Sequence, residues 1–378
     1  MHLSPPRLHA PVAVTLDHKA EIKRQLALRA AGTRTRAAAP FAIPLTTVSM
    51  SGNFDAYIEV QIAGSIQSTT LLFDSGNSML IMPYWEEFEA LPPQYFSAYQ
   101  VLGSTPEPWG CPANVVRGPM YVIAADGSFY YLPDCVFYAC TANNSSNERT
   151  ANFGAGCIVP WTSSGWNTPP HCGGVVMQSP LSYQLACLYA EIDYAAADQV
   201  LTLEAAPLVA GGSWLNLYPS VPGGYAMLSI LRNMEWMSLV PVALDIGATK
   251  TGWPGDVSSP IAMIDTGGGP AFLSDPNGYV YDKQWPDPVP NPAWTSSSTS
   301  CESTSDSISV GLASGAASYS YTIDPGLLPP SVQGLTLVMC KKNAYMMGEN
   351  GMNIGGISAL VNAILIDYAG GQVGLKPR

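Results

Sequence analysis

Two short segments of this chain carry the same residue types in the same order. Residues 71–78 read LLFDSGNS and residues 262–269 read AMIDTGGG, so each is an apolar run followed by an aspartate, a hydroxyl residue and a glycine. Two carboxyl groups a hydrogen bond apart cannot both ionise, because the first charge repels the second. If Asp74 and Asp265 meet, they hold one proton and one charge, which gives an acid and a base that could activate a water molecule.

The residues around both aspartates predict β-strands. Apolar and polar side chains alternate over residues 58–62, which indicates a half-buried strand that turns near residues 63–65 and returns to Asp74. At the C-terminal end, residues 363–367 and 372–375 are two apolar runs about a glycine turn, which predicts a second hairpin. Only 12% of residues are charged, and the 35 glycines and 33 prolines favour many short strands and turns. The composition therefore predicts an all-β protein.

These motifs resemble those of the pepsin-like aspartic proteases, whose chains carry one Asp-Thr/Ser-Gly motif in each of two lobes and end on such a hairpin. The resemblance covers residues 42–378. It implies an all-β, bilobal fold with a pseudo-twofold axis between the lobes and one aspartate in each lobe. The predicted units are a basic propeptide-like leader, an N-terminal β lobe and a C-terminal β lobe, at residues 1–41, 42–212 and 213–378.

The resemblance implies an aspartic endopeptidase that is acid-active, monomeric, made as a zymogen and in need of no cofactor or metal. A water molecule between Asp74 and Asp265 attacks the peptide carbonyl, while one aspartate takes a proton from the water and the other protonates the leaving nitrogen. The polypeptide substrate is extended between the lobes. By the same resemblance, residues beside the aspartates support the pair, and these are Ser75, Gly76, Asn77, Thr266 and Gly267.

Two features depart from the family pattern. A small hydroxyl residue usually follows the glycine and supports the outer carboxylate oxygen, but here Asn77 and Gly268 stand at these positions. Asn77 still has a donor, whereas Gly268 has none, so we expect Asp265 to lose a hydrogen bond and its pKa to rise. The flap hairpin of the family carries a tyrosine, and the nearest match is Trp109-Gly110. Trp109 is equally well explained as a packed aromatic residue.

A second class of function is a catalytically weak or inactive pepsin-like binding or inhibitor protein, because a fold does not fix a function. Gly268, the poor flap match and the cysteine-rich first half favour this alternative. The two aspartates favour the enzyme, because a retired site has no physical reason to keep two carboxylates that repel each other. The sequence has no Gly-x-Ser-x-Gly elbow and no dinucleotide glycine pattern. A zinc site could draw on Cys157, His171, Cys172 and Cys187, but these residues lack the paired spacing that indicates zinc.

Charge is distributed unevenly along the chain. Residues 1–41 contain seven of the 16 Lys and Arg and two of the 28 Asp and Glu, a net charge of +5, which leaves −17 for the remainder. An acidic body does not suit nucleic acid. The resemblance implies an inhibitory prosegment with Lys23 or Arg24 against the aspartates and cleavage between Arg36 and Phe41. The alternative is a disordered basic tail.

Eight cysteines bear on the cellular compartment. Six lie in the first half and admit many pairings, among which the sequence does not choose. The resemblance implies a disulfide between Cys301 and Cys340, and reduced, buried cysteines are the alternative. Overlapping glycosylation sequons at Asn143 and Asn144 favour an oxidising route and a secreted or vacuolar location. No run of about 20 apolar residues predicts a membrane span.

Overall fold

The fold is known from a computed structural model. It describes residues 41–50, 53–62, 68–76, 80–83, 98–106, 111–123, 129–141, 151–156, 171–172, 175–176, 189–193, 213–218, 221–231, 238–247, 249–252, 261–267, 271–274, 301–304, 306–328, 337–340, 351–354, 356–367 and 371–378. Most of these residues are β-strand, so the all-β prediction is confirmed. Residues 1–40 of the predicted leader lie outside the described ranges.

The described ranges contain strands, one short α-helix and one turn of 3-10 helix. The strands are β1 Phe41–Met50, β2 Asn53–Ile62, β3 Thr69–Asp74, β4 Leu80–Met82, β5 Gln100–Pro106, β6 Pro112–Ile123, β7 Phe129–Cys140, β8 Asn152–Gly154, β9 His171–Cys172, β10 Val175–Val176, β11 Tyr189–Asp193, β12 Ser213–Tyr218, β13 Ala226–Ser229, β14 Ser238–Ile246, β15 Thr249–Gly252, β16 Ile261–Met263, β17 Ala271–Ser274, β18 Cys301–Thr304, β19 Ile308–Ser314, β20 Ala317–Ile323, β21 Leu337–Cys340, β22 Gly351–Asn353, β23 Asn362–Asp367 and β24 Gln372–Pro377. The helix α1 is Ser358–Val361, and the 3-10 turn is Pro325–Leu327.

The strands form two large sheets and one small one. The larger sheet has the order β13-β24-β23-β11-β12-β1-β2-β3-β8-β4-β7-β6-β5, with a further pairing between β2 and β6. The second sheet has the order β18-β21-β17-β22-β16-β14-β19-β20, and β15 pairs with β14. β9 and β10 pair with each other. Both hairpins predicted from the sequence are present, as β2–β3 and β23–β24.

One arrangement of four strands occurs twice, once beside each aspartate. β8 is parallel to β3 and antiparallel to β4, and β4 is parallel to β7. In the second sheet β22 is parallel to β16 and antiparallel to β17, and β17 is parallel to β21. The registers also match, because Leu72 pairs with Asn152 and Met263 pairs with Asn353. Leu72 and Met263 each lie two residues before an aspartate, so the two sites have the same local frame.

Strands from both halves of the chain share the larger sheet. β12 pairs with β1 on one side and with β11 on the other, and β11 pairs with β23 of the C-terminal hairpin. β23 is buried on both of its faces, because the consecutive residues Ile364, Leu365 and Ile366 are all buried. The second repeated arrangement lies in the other sheet, and one continuous apolar core contains buried residues of both sheets.

An aromatic pair packs beneath the first aspartate. The rings of Phe73 on β3 and Phe153 on β8 are stacked with their centroids 6.2 Å apart, and both side chains are fully buried. We expect Phe153→Ala to lower the free energy of unfolding by about 3–5 kcal/mol, because it leaves a cavity in a packed core. Urea unfolding followed by circular dichroism measures this change.

Val242→Ala is the control, because Val242 is 48% exposed and its truncation should change the free energy of unfolding by less than about 0.5 kcal/mol. Equal costs for the two substitutions would show that the core beneath Asp74 is not packed as described.

Candidate active site

Each aspartate ends an apolar strand and begins a tight turn. Asp74 is the last residue of β3, and Asp265 lies two residues after β16. In both turns the aspartate accepts a hydrogen bond on Oδ1 from the backbone N–H of the glycine two residues later, with distances of 2.7 Å from Gly76 and 2.9 Å from Gly267. This local bond fixes the side-chain direction at both positions.

The two turns are joined by reciprocal hydrogen bonds through their hydroxyl residues. The Ser75 N–H donates to Thr266 Oγ1, and the Thr266 N–H donates to Ser75 Oγ, both at 3.0 Å. The hydroxyls also donate across the junction, Ser75 Oγ to the Ile264 carbonyl at 3.0 Å and Thr266 Oγ1 to the Phe73 carbonyl at 3.2 Å. Both hydroxyl residues are fully buried. The position of one turn therefore determines the position of the other.

The glycines allow the turns to approach so closely. A Cβ atom on Gly76 would lie 2.5 Å from Asp265 Cγ, and a Cβ atom on Gly267 would lie 2.6 Å from Asp74 Cγ. Real Cβ atoms do not approach other heavy atoms this closely, so only glycine fits at either position. Each glycine thus lies against the carboxyl group of the opposite turn.

The arrangement brings the two predicted catalytic carboxyls into direct contact. The Asp265 carboxyl is hydrogen-bonded to Asp74, and Asp74 is only 8% exposed. Burial raises the pKa of Asp265 well above its usual range, and the charge of Asp74 and the hydrogen bond to it raise this pKa further. The pair therefore favours a state with a proton on Asp265.

Two asparagines that the sequence reasoning missed support the pair. Asn152 Nδ2 donates to Asp74 Oδ2 at 2.7 Å, and Asn353 Nδ2 donates to Asp265 Oδ2 at 2.5 Å. Both asparagines are buried and occupy the same register position in their frames. A sequence signal for them exists, because an asparagine, an apolar residue and a glycine occur in this order at both 152–154 and 353–355.

Asn353 corrects one expectation drawn from the sequence. The glycine at position 268 was expected to leave the outer oxygen of Asp265 without a donor, and this is wrong because the amide of Asn353 supplies one. That hydrogen bond and the one from Gly267 lower the pKa of Asp265. The pKa is raised all the same, because burial and the neighbouring Asp74 outweigh both donors.

A third carboxyl lies near the pair. The β2–β3 register pairs Tyr57 with Leu72, and when it is continued by two residues it brings Asp55 to the position facing Asp74. Burial, and to a smaller extent the charge of Asp74, raises the pKa of Asp55 to about 6. Asp55 therefore adds a carboxyl with a raised pKa on the face of the sheet that carries Asp74.

The other predicted site residues are placed as follows. β18 and β21 are antiparallel with Cys301 directly opposite Cys340, which brings the two backbones close together, and the disulfide stays a prediction. Among the cysteines with described side chains, no disulfide joins Cys111, Cys135 and Cys140 to one another. Residues of the family pattern and sequons that lie outside the described ranges are Asn77, Trp109, Gly110, Asn143, Asn144 and Gly268.

Within the described ranges, no group of three or more His, Cys, Asp and Glu side chains is arranged to bind a metal ion. No helix in these ranges has the length and apolar character to cross a membrane. Comparison of the sequence with protein-family models and with curated proteins found no match.

The close contact between glycine and carboxyl predicts that Gly267→Ala is destabilising. The added methyl group would overlap the Asp74 carboxyl, and overpacking of this kind costs about 1–3 kcal/mol in the free energy of unfolding. Thermal and urea unfolding measure the change. Gly223→Ala is the matched control, because a Cβ atom there meets no other atom within 4 Å. Equal stability of the two variants would contradict the described contact.

The raised pKa of Asp55 predicts a pH-dependent stability. Between about pH 4 and pH 6 the folded protein retains a proton that the unfolded chain has released, so stability falls as the pH rises through this window. A shift from 3.8 to about 6 corresponds to about 3 kcal/mol. We expect Asp55→Asn to remove most of this loss, as measured by urea unfolding at pH 4 and pH 7.

Glu59→Gln is the control for this comparison, because it removes an exposed carboxyl from the same strand. An Asp55→Asn variant whose stability falls between these pH values as steeply as that of the wild-type protein would show that Asp55 is not a buried acid.

Proposed function

We propose that this protein is an aspartic endopeptidase of the pepsin-like type, which hydrolyses peptide bonds with a water molecule activated between Asp74 and Asp265. One observation carries the proposal: the two carboxyls are hydrogen-bonded to each other across two turns that are joined by Ser75 and Thr266. Two carboxyls that are held this close together lower the stability of the folded protein, which favours a catalytic role over a structural one.

The electrostatics assign different starting roles to the two aspartates. Asp265 has the raised pKa and begins the cycle protonated, as the acid. Asp74 begins ionised, with its oxygens held by the Gly76 N–H and the Asn152 amide, and acts as the base. A water molecule hydrogen-bonded to both carboxyls is then aligned for attack on a peptide carbonyl.

The proposed reaction is balanced without any cofactor. The water oxygen attacks the carbonyl carbon and its proton passes to Asp74, while the proton of Asp265 passes to the carbonyl oxygen. Asp74 then protonates the leaving nitrogen as the C–N bond breaks, and a hydroxyl of the intermediate returns a proton to Asp265. The products are a carboxylic acid and an amine, and both aspartates regain their starting states.

Two wider features belong to the same proposal. The strand arrangement that occurs beside both aspartates supports a bilobal, pepsin-like fold with an extended polypeptide substrate between the lobes. The net charge of +5 on residues 1–41 against −17 on the remainder supports an inhibitory prosegment released in acid, since carboxyl protonation weakens the attraction between them. Such a zymogen suits a secretory or vacuolar route.

The test is proteolysis of an unfolded protein at about pH 4, near the ordinary carboxyl pKa values. Mass spectrometry of the acid-treated chain first locates its new N-terminus. We expect Asp74→Asn and Asp265→Asn each to lower kcat by about 100- to 10,000-fold, because an amide cannot exchange the proton that the cycle moves. Asp367→Asn alters a buried carboxyl in the C-terminal hairpin and should retain activity.

Cleavage that persists in both aspartate variants would refute the proposed mechanism. A wild-type chain that cleaves no substrate but binds a peptide mimic of the tetrahedral intermediate would instead be a pepsin-like binding protein.

A further inference from the structure

The two asparagines beside the catalytic carboxyls differ in one respect. Asn152 is 4% exposed, and no described residue offers a donor within hydrogen-bonding distance of its Oδ1 atom. The Oδ1 atom of Asn353 is not a buried acceptor that lacks a donor. A buried acceptor without a donor is rare and costs about 1–3 kcal/mol, so its retention next to Asp74 calls for an explanation.

An asparagine amide has a donor at one end and an acceptor at the other. Rotation by 180° about its terminal torsion exchanges Nδ2 and Oδ1. No described residue donates to the far end of the Asn152 amide, so rotation of the amide breaks no hydrogen bond to Oδ1. The amide is held at this end by its hydrogen bond to Asp74 Oδ2.

The protonation state of Asp74 selects the orientation. An ionised carboxylate accepts from Nδ2, whereas a protonated carboxyl on Oδ2 must donate, and it then requires Oδ1. The distance of 2.7 Å between the Asn152 amide and Asp74 Oδ2 lies within the normal range of both N–H···O and O–H···O hydrogen bonds. The backbone therefore need not move when the amide rotates.

The titratable groups that face Asp74 come from two elements. Asp265 faces it from the second turn, and Asp55 faces it from β2, with Tyr57 beside Asp55 on the same strand. β4, which pairs with β8 on its other side, contributes only the apolar side chains of residues 80–82. Two carboxyls thus lie beside Asp74, and the described residues of these elements include no Lys or Arg.

We propose that Asn152 is a positioning residue whose amide rotates as Asp74 gains and loses its proton, so that this carboxyl keeps a hydrogen bond in both states. The inference rests on the proposed function, because it is the catalytic cycle that protonates Asp74. A hydroxyl group can keep a hydrogen bond to a carboxyl in both protonation states by turning its O–H bond, whereas an amide must exchange its two ends. The vacant hydrogen bond of Oδ1 is what makes this exchange inexpensive.

Two substitutions of nearly unchanged shape separate this role from packing. Asn152→Leu removes both donor and acceptor, and we expect it to lower kcat/KM by about 10- to 100-fold at every pH. Asn152→Asp keeps both functions only while its new carboxyl is protonated. At low pH its activity should approach that of the wild-type enzyme. As the pH is raised, the variant should lose activity at a lower pH than the wild-type enzyme does.

Asn114→Leu is the matched control. Asn114 is buried in the same sheet and accepts from Ser104 Oγ at 2.6 Å, away from the carboxyls. It should lower stability without lowering the kcat/KM of the folded protein at any pH. If Asn152→Leu behaves in the same way, Asn152 has only a structural role and the inference is overturned.

A direct readout does not depend on activity. In protein labelled with ¹⁵N at asparagine, the side-chain amide resonances of Asn152, assigned by their loss in Asn152→Asp, should move as the carboxyl pair titrates and should not move in Asp74→Asn. A pH-independent Asn152 amide in a protein that still cleaves substrate overturns this inference alone. A wild-type protein that cleaves nothing overturns the proposed function on which it rests.

Discussion

The site depends on one electrostatic constraint, which is that two carboxyls are held a hydrogen bond apart where both cannot be charged. Left free, such a pair would separate. It is kept together because the buried Ser75 and Thr266 bind each other's turn through both backbone and hydroxyl groups, and because glycine on each side leaves room for the opposite carboxyl. The repulsion is relieved by a shared proton, and this proton is what makes acid–base chemistry available.

The repeated strand arrangement makes this constraint symmetrical. The strand that leads to each aspartate is parallel to a second strand that contains an asparagine, Asn152 in β8 and Asn353 in β22. The strand register places each asparagine beside the outer oxygen of its aspartate. Both carboxyls thus receive one backbone donor and one amide donor. Their environments differ in what lies beyond, since Asp74 has Asp55 nearby and Asn152 carries an unsatisfied acceptor. The proposed difference in role between the two aspartates depends on the raised pKa of Asp265.

Local sequence patterns predicted the parts of the molecule that depend on neighbouring residues. The all-β class and the β2–β3 and β23–β24 hairpins follow from alternation and turn residues, and the two aspartates stand out because their triplets repeat. Asn152 and Asn353 share a short sequence pattern, but the pattern does not connect them to the aspartates that they support, which lie 78 and 88 residues away. Parallel strand pairing brings them together, and a short sequence does not specify which distant strands pair. For the same reason, the glycine after the second triplet suggested a missing hydrogen bond that a residue far along the chain in fact supplies.

The most direct test of the account is a carboxyl titration by ¹³C NMR in protein labelled at aspartate, with Asp74 and Asp265 assigned through their asparagine variants. Coupling between the two groups predicts two macroscopic steps separated by more than about one pKa unit, with one proton retained between them and Asp265 carrying most of it. Replacement of either aspartate by asparagine should collapse the two steps into one. Two carboxyls that titrate together near pH 4, each unaffected by loss of the other, would contradict the claim that the fold holds them as a single acid–base pair.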